Sequence, residues 1–384
     1  EILQNIIILL HEKKVKEAKT PMIMFHNLLK PIEIYRASVD ELRGTKGPIA
    51  GNPILHFLNT DIDSEKKIKD PNRYVSFENV SEKTQLNLIN KKIKTTEINE
   101  NQAPIFTLGD FDLDGYIDIF LSAKSNIDNK NYSYLLRNNQ GSFSNQNLLT
   151  EVKYPGQDIS AYFTDYNNDG HLDLFICNSE KNRLYKSIEG GKYFKEIEIN
   201  FQDNIISQRA QILDFDLEGD LDIFIATNEK NYLYRNNSDG SFTEIGEYAG
   251  LDGKIIKSID VTFSDFDGDG DLELFVLNED GSYFFYDNKR QSIFKDISNS
   301  TGIGKHNNPQ KVSAVDYNND GRIDICISSK NNHFLYKNIG KSKFELDPEW
   351  ENTKTKIKKS ILNGRSIFFD ADNDGYQDLL ISST

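Results

Sequence analysis

A chain of 384 residues with 60 Asp and Glu against 45 Lys and Arg carries a formal charge of −15. It offers no basic face to phosphates, which argues against a nucleic-acid partner. Its 37% hydrophobic and 11% aromatic content is that of a globular, β-leaning protein. Two cysteines, Cys177 and Cys326, supply neither a disulfide framework nor a cysteine zinc site, and both fall in stretches that read as core strands.

Taken in chain order, residues 1–50 read as two or three short helices. An apolar face runs through residues 3–18, Thr20-Pro21 forms an N-cap and first-turn pair, and Ser38 with Glu41 forms a capping box. This segment is expected to pack on the remainder of the chain or to be the tail of a helical domain. Its apolar run at residues 6–10 is far too short to cross a bilayer. The chain opens on Glu1 rather than Met, so the lack of a leader says nothing about export. Strands are expected at residues 54–59 and 75–80, followed by a weakly patterned stretch over 81–103.

From residue 110 a nine-residue pattern, D-x-[DN]-x-[DE]-G-x-x-[DE], recurs six times. Its first residues, Asp110, Asp165, Asp214, Asp265, Asp316 and Asp370, are 55, 49, 51, 51 and 54 apart. A period near fifty residues suits one four-stranded propeller blade. Each motif follows a strand-like stretch such as residues 258–264 and precedes a compact apolar run, for instance Asp222-Ile223-Phe224-Ile225. A third strand (Leu233-Tyr234-Arg235-Asn236; Leu335-Tyr336-Lys337-Asn338) and a fourth (241–245) complete the unit. After the last motif only the strand at 379–382 remains, so the two early strands are expected to finish the final blade. The expectation is an all-β propeller over residues 51–384, with six four-stranded blades closed by N- and C-terminal strands; a seventh blade without a motif stays open.

The motif has the chemistry of a calcium loop. Ca²⁺ takes roughly six to eight oxygens with flexible geometry. Positions 1, 3 and 5 offer side-chain oxygens: Asp110, Asp112, Asp114; Asp165, Asn167, Asp169; Asp214, Asp216, Glu218; Asp265, Asp267, Asp269; Asp316, Asn318, Asp320; Asp370, Asp372, Asp374. Position 6 is always Gly, for a sharp turn. Position 7 varies freely (Tyr116, His171, Asp220, Asp271, Arg322, Tyr376), as a backbone-carbonyl ligand permits. Position 9 is always acidic: Asp118, Asp173, Asp222, Glu273, Asp324, Asp378. An EF-hand needs Glu at position 12, where this chain has Leu121, Ile176, Ile225, Val276, Ile327 and Ile381. Acidic β-turns are the simpler alternative for one copy, but six in register favour Ca²⁺. Six ions would move the charge from −15 to about −3. Mg²⁺ suits such loops less, since it demands stricter octahedral geometry. Asn167, Asn318 and Glu218 are expected to weaken the second, fifth and third sites.

At these residues the chain resembles the FG-GAP/VCBS repeat family, the calcium-loop propellers that include the integrin α-subunit head. The resemblance spans residues 54–384. It rests on the six loops, the Leu-Tyr-Arg-Asn strand and the tail that runs from Phe242 to Leu251. It implies Ca²⁺ between the first two strands of each blade, commonly in secreted or cell-surface proteins. Integrin-like heads usually have seven blades.

A propeller puts the calcium loops on one face and the inter-blade connections, here 246–257, 298–311 and 346–365, on the other. Variable loops on a rigid scaffold are where binding sites usually lie. A protein or glycan partner on that second face is therefore expected, in an extracellular, periplasmic or cell-surface setting where calcium is plentiful. The alternatives are a polysaccharide lyase or hydrolase on the same scaffold, or a spacer in a larger surface protein. His11, His26, His56, His171, His306 and His333 show no triad or metal spacing, so no catalytic residue is assigned.

Overall fold

The computed structural model describes residues 83–84, 104–124, 131–146, 156–251, 255–289, 293–354, 365–370 and 375–381. The helices expected over 1–50 and the strands expected at 54–59 and 75–80 lie outside these residues. The described chain is a succession of antiparallel meanders. Five are complete four-stranded sheets in simple sequence order: β1–β4, β5–β8, β9–β12, β13–β16 and β17–β20. These run over Ile105–Asn145, Asp158–Ile197, Ser207–Glu244, Ser258–Asp296 and Pro309–Leu346. A sixth sheet contributes β21 (Ser366–Phe369) and β22 (Asp378–Ile381). Among the described residues, a short helix, α1 (Pro348–Lys354), follows β20.

The first strands pack in series, β1 on β5, β5 on β9, β9 on β13, β13 on β17 and β17 on β21, as they do around a propeller axis. Four second strands are enclosed on both faces: every residue of β6 (Asp173–Asn178), β10 (Asp222–Thr227), β14 (Glu273–Asn278) and β18 (Asp324–Ser329) is buried. Side chains alternate between faces along a strand, so each of these strands serves two cores. Leu174 and Ile176 join the cluster shared with the first sheet, while Phe175 and Cys177 join the one shared with the third. Ile223 and Ile225 face back to the second sheet, and Phe224 and Ala226 face forward to the fourth. That is why these strands read as unbroken apolar runs rather than alternating ones. Cys177 and Cys326 are buried free thiols in this setting.

Turns above the sheets link neighbours too. Asn236, Asn288 and Asn338, at the ends of third strands, donate from Nδ2 to the carbonyls of Tyr166, Phe215 and Phe266 at 2.9, 3.0 and 2.7 Å. Each acceptor is the second residue of the preceding sheet's acidic loop. The tail after each fourth strand does likewise: Ala249 O accepts from Phe294 N–H at 2.8 Å, and Thr301 O from Phe344 N–H at 2.7 Å. Thr84 O takes the N–H of Phe143 at 2.9 Å in the same way, so Thr84 stands where the tail of a sheet ahead of the first would lie.

Candidate metal centres in the acidic loops

The loop between the first and second strands has the same internal wiring in every complete sheet. The position-1 carboxylate folds over the turn and accepts the N–H groups of positions 5 and 6. Asp110 takes them from Asp114 and Gly115 at 3.0 and 2.9 Å, Asp214 from Glu218 and Gly219 at 3.1 and 2.8 Å, and Asp316 from Asp320 and Gly321 at 3.1 and 2.9 Å. Asp165 and Asp265 do the same, and Asp370 accepts from Gly375 at 2.8 Å. In the first, second, fourth and fifth loops the position-5 carboxylate also takes the N–H of position 7, as Asp114 does from Tyr116 and Asp320 from Arg322. Position-6 glycines hold φ between 82° and 97°, a region that L side chains avoid.

Position 4 also lies in the left-handed region, at Leu113, Asn168, Leu217, Gly268 and Asn319. The sequence pattern leaves that position unrestricted and so hid the requirement. The two asparagines reach onward: Asn319 Nδ2 donates to Gly375 O in the next loop at 3.0 Å, and Asn168 Nδ2 to Gly219 O at 2.5 Å.

Position 9 differs in kind from the others. Asp118, Asp173, Asp222, Glu273 and Asp324 are fully buried, each at the root of its second strand. One oxygen of the aspartates accepts a backbone N–H from the third strand: Asn138, Ser187, Asn236 and Asn338 donate at 2.7–2.9 Å. The other oxygen of Asp118 and Asp222 takes the N–H of the loop's second residue, at 3.1 and 3.2 Å. Position 9 therefore pins the loop to the sheet as well as facing its carboxylates. Burial raises these groups, to about 6 for Asp118 and Asp324, 7 for Asp173, 8 for Asp222 and 9 for Glu273, with neighbouring carboxylates adding to the rise. A divalent ion among them would oppose that trend.

The carboxylates converge. Ligand atoms of Asp110, Asp112 and Asp118 lie within 4.8 Å of one another, as do those of Asp214, Asp216 and Asp222, and of Asp265, Asp267 and Asp269. A further group joins Asp267 and Glu273 to Asp287, which lies outside the nine-residue motif on β15 (Tyr283–Asn288). Glu218 does not enter the third-loop group. In the second and fifth loops Asn167 and Asn318 take the place of a carboxylate, and Asn318 Nδ2 donates to Asp324 at 2.9 Å. The position-7 side chains differ from loop to loop: Tyr116 and Tyr376 are exposed, Arg322 turns back to Asp320 at 2.6 Å, and Asp271 is buried. Asp378 is exposed, and Asp372 and Asp374 lie outside the described residues.

Several buried oxygens of these loops have no hydrogen-bond partner: Asp112 Oδ1, Asp173 Oδ2, Glu273 Oε1, Asp287 Oδ1 and Asn318 Oδ1. Buried polar atoms are nearly always satisfied, so a cluster of exceptions points to an absent partner. The donor set is all oxygen and mostly carboxylate, which fits a hard cation of the calcium type.

Sheets stacked around an axis, with an acidic loop at the head of each, define a β-propeller of acidic-loop repeats. The chain belongs to the FG-GAP-like repeat family, whose repeat matches residues 110–176, 165–225, 214–276, 265–327 and 316–381. No curated protein matches the chain by sequence. Among solved structures it is similar to a lectin of Agrocybe aegerita described as specifically recognising non-reducing terminal N-acetylglucosamine. That match has 16% identity and a TM-score of 0.53, and covers 72% of this chain and 74% of that one. It is also similar to the Photorhabdus luminescens Tc holotoxin pore, with 17% identity and a TM-score of 0.39, covering 71% of this chain and 13% of that one. A third is the biofilm matrix protein Bap1 of V. cholerae, with 14% identity and a TM-score of 0.36, covering 65% of this chain and 40% of that one. The likeness to the lectin, at 16% identity, is one of fold alone. Among the described residues no helix is long and apolar enough to cross a membrane.

Proposed function

We propose that this propeller is a calcium-stabilised binding module that holds Ca²⁺ in up to six loops and a ligand on the opposite face. The observation that carries the metal half is the set of buried, unpartnered loop oxygens beside fully enclosed position-9 carboxylates. In the first loop Asp110, Asp112, Asp114 and Asp118 would hold the ion with the Tyr116 carbonyl, and the other loops would use the corresponding positions. The ion would neutralise like charges and stiffen the loop. Cytosolic calcium would leave weak loops empty, so an extracellular, periplasmic or cell-surface setting follows from the same chemistry.

The face opposite the loops is built from the second-to-third-strand turns and the connections between sheets. On the connection from the third to the fourth sheet, Tyr248 and Ile255 are 75% and 80% exposed. Large exposed apolar side chains on loops of a rigid scaffold suit a recognition surface. The similarity to a sugar-binding lectin makes a terminal sugar the first ligand class to test. We further infer that strands N-terminal to Thr84 complete the sixth sheet, giving six blades, because Thr84 already sits against the first sheet as a preceding blade's tail would.

The test is thermal melting of chelator-stripped protein titrated with Ca²⁺ and separately with Mg²⁺, followed by a glycan array. A ligand that binds only the folded state raises its melting temperature with concentration. A calcium-selective rise supports the metal assignment, and no shift at millimolar calcium refutes it. Binding to a sugar series supports the glycan half. Capture of a protein alone, or turnover of a polysaccharide, would replace it.

A further inference from the structure

In four of the five complete sheets a cation stands across the strand pair from position 9. The registers that pair Leu136 with Ile119, Tyr185 with Leu174, Tyr234 with Ile223 and Tyr336 with Ile325 set Arg137 opposite Asp118, Lys186 opposite Asp173, Arg235 opposite Asp222 and Lys337 opposite Asp324. Three of these cations reach their loops. Arg137 Nε lies 2.5 Å from Asp112, Lys186 Nζ 3.2 Å from Asp169, and Lys337 Nζ 3.5 Å from Asp320. They are tethered counter-charges that a metal ion must compete with.

The fourth sheet breaks the rule. Its register pairs Tyr286 with Leu274, which sets Asp287 opposite Glu273. Like charges directly opposite one another destabilise a strand pair, and burial aggravates this. Glu273 is 0% exposed and Asp287 9%. Glu273 Oε1 and Asp287 Oδ1 both lack a hydrogen-bond partner, and the two carboxylates converge with that of Asp267 within 4.8 Å. Asp267 belongs as well to the group formed with Asp265 and Asp269. The other Asp287 oxygen is 2.5 Å from Lys289 Nζ, but that lysine side chain is 51% exposed, and one solvated ammonium leaves five carboxylates largely unbalanced.

We infer that Asp287 is a fifth carboxylate ligand of the fourth loop, supplied by the third strand, and that this loop binds Ca²⁺ first and most tightly. The inference rests on the calcium reading above and adds to it a residue outside the repeat motif. Affinity in oxygen-ligand sites rises with the number of charged ligands. Where the other sheets place Lys or Arg opposite position 9, the fourth places a carboxylate, and Lys289 offsets only one of its five charges.

The experiment is isothermal titration of chelator-stripped full chain with Ca²⁺, alongside melting in chelator and in calcium, for wild type, Asp287→Asn and Asp287→Lys. The expected wild-type isotherm has one site tighter than the rest. Asp287→Asn should weaken that site by about tenfold or more and leave the others in place. Asp287→Lys, which copies the neighbouring sheets, should abolish the distinction. In chelator both variants should melt above wild type, since a buried repulsion is gone, and in calcium both should gain less. A merely structural Asp287 would not produce that reversal. If Asp287→Asn titrates as wild type does, the inference is overturned while the calcium reading stands. If wild type takes up no Ca²⁺ at all, both fall together.

Discussion

Replacing Asn338 by alanine should be among the most damaging changes to a polar residue in the protein. The side chain is fully buried and makes three bonds. Nδ2 donates to Phe266 O in the fourth sheet's loop at 2.7 Å and to Ile323 O in its own loop at 2.8 Å, while Oδ1 accepts from Gly340 N–H at 2.8 Å. A net hydrogen bond contributes about 1 kcal/mol, and a buried partner left unmatched costs about 1–3 kcal/mol. Three such losses sum to about 3–4 kcal/mol, once water reaches the turn's exposed side. For a propeller of this size each kcal/mol lowers the melting temperature by roughly 1.5–2 °C, so a fall of about 5–8 °C is expected. Asn338→Asp should be at least as harmful, because it turns a carboxylate oxygen toward two carbonyls. The assay is urea denaturation with melting in parallel, set against Asn139→Ala at an exposed turn position. If Asn338→Ala stays within about 0.5 kcal/mol of wild type, the tie between the fourth and fifth sheets is not a stabilising contact, and the reasoning fails.

Other perturbations probe different parts of the wheel. Arg183 and Asp158 form a buried ion pair, with Asp158 also accepting from Ser122 and Asn178. Arg183→Met should cost about 3–5 kcal/mol in urea denaturation by stranding a buried carboxylate, and adding Asp158→Asn should recover much of the loss. A double variant no better than the single one would contradict this. His306 is buried, with Nε2 2.8 Å from the Tyr336 hydroxyl, and burial lowers it to about 4 from the usual 6.5. The folded state therefore keeps the ring neutral where the unfolded chain binds a proton. The associated stability is complete above pH 6.5 and declines toward pH 4, by about 3 kcal/mol in all. Stability profiles of wild type and His306→Gln should diverge over that window, and parallel profiles would refute the assignment.

Much of this architecture was legible in the sequence, because a strand packed on both faces needs an unbroken apolar run and the acidic loop at its head recurs at a fixed period. Phe224 and Ala226 on one face and Ile223 and Ile225 on the other show the two-sided packing within one short segment. Relations between distant positions were not legible. Asn236 reads as the end of a recurring strand, yet its work is to hold Tyr166, 70 residues earlier, and no local pattern announces that partner. Asp287 was missed for a related reason: it faces Glu273 only through the pairing of β14 with β15, and in the repeat it occupies a place usually filled by Lys or Arg. The left-handed residues at position 4 were hidden because Leu113 and Leu217 carry no signature of that conformation. Position 9 was read as a ligand alone, whereas its burial and its bonds to the third strand make it a structural anchor too.

The two-sided packing of the second strands bears on how the protein meets proteases. The third and fourth sheets share a core with Phe224, Ala226, Leu274 and Val276; the connection between those sheets adds Ala249 and Leu251 to it and then emerges, leaving Ile255 exposed. A single cut near Ile255 would sever the chain without opening that core. The halves should then travel as one particle on a sizing column while separating as two fragments on a denaturing gel. In such a fold a nicked backbone need not mean a lost scaffold.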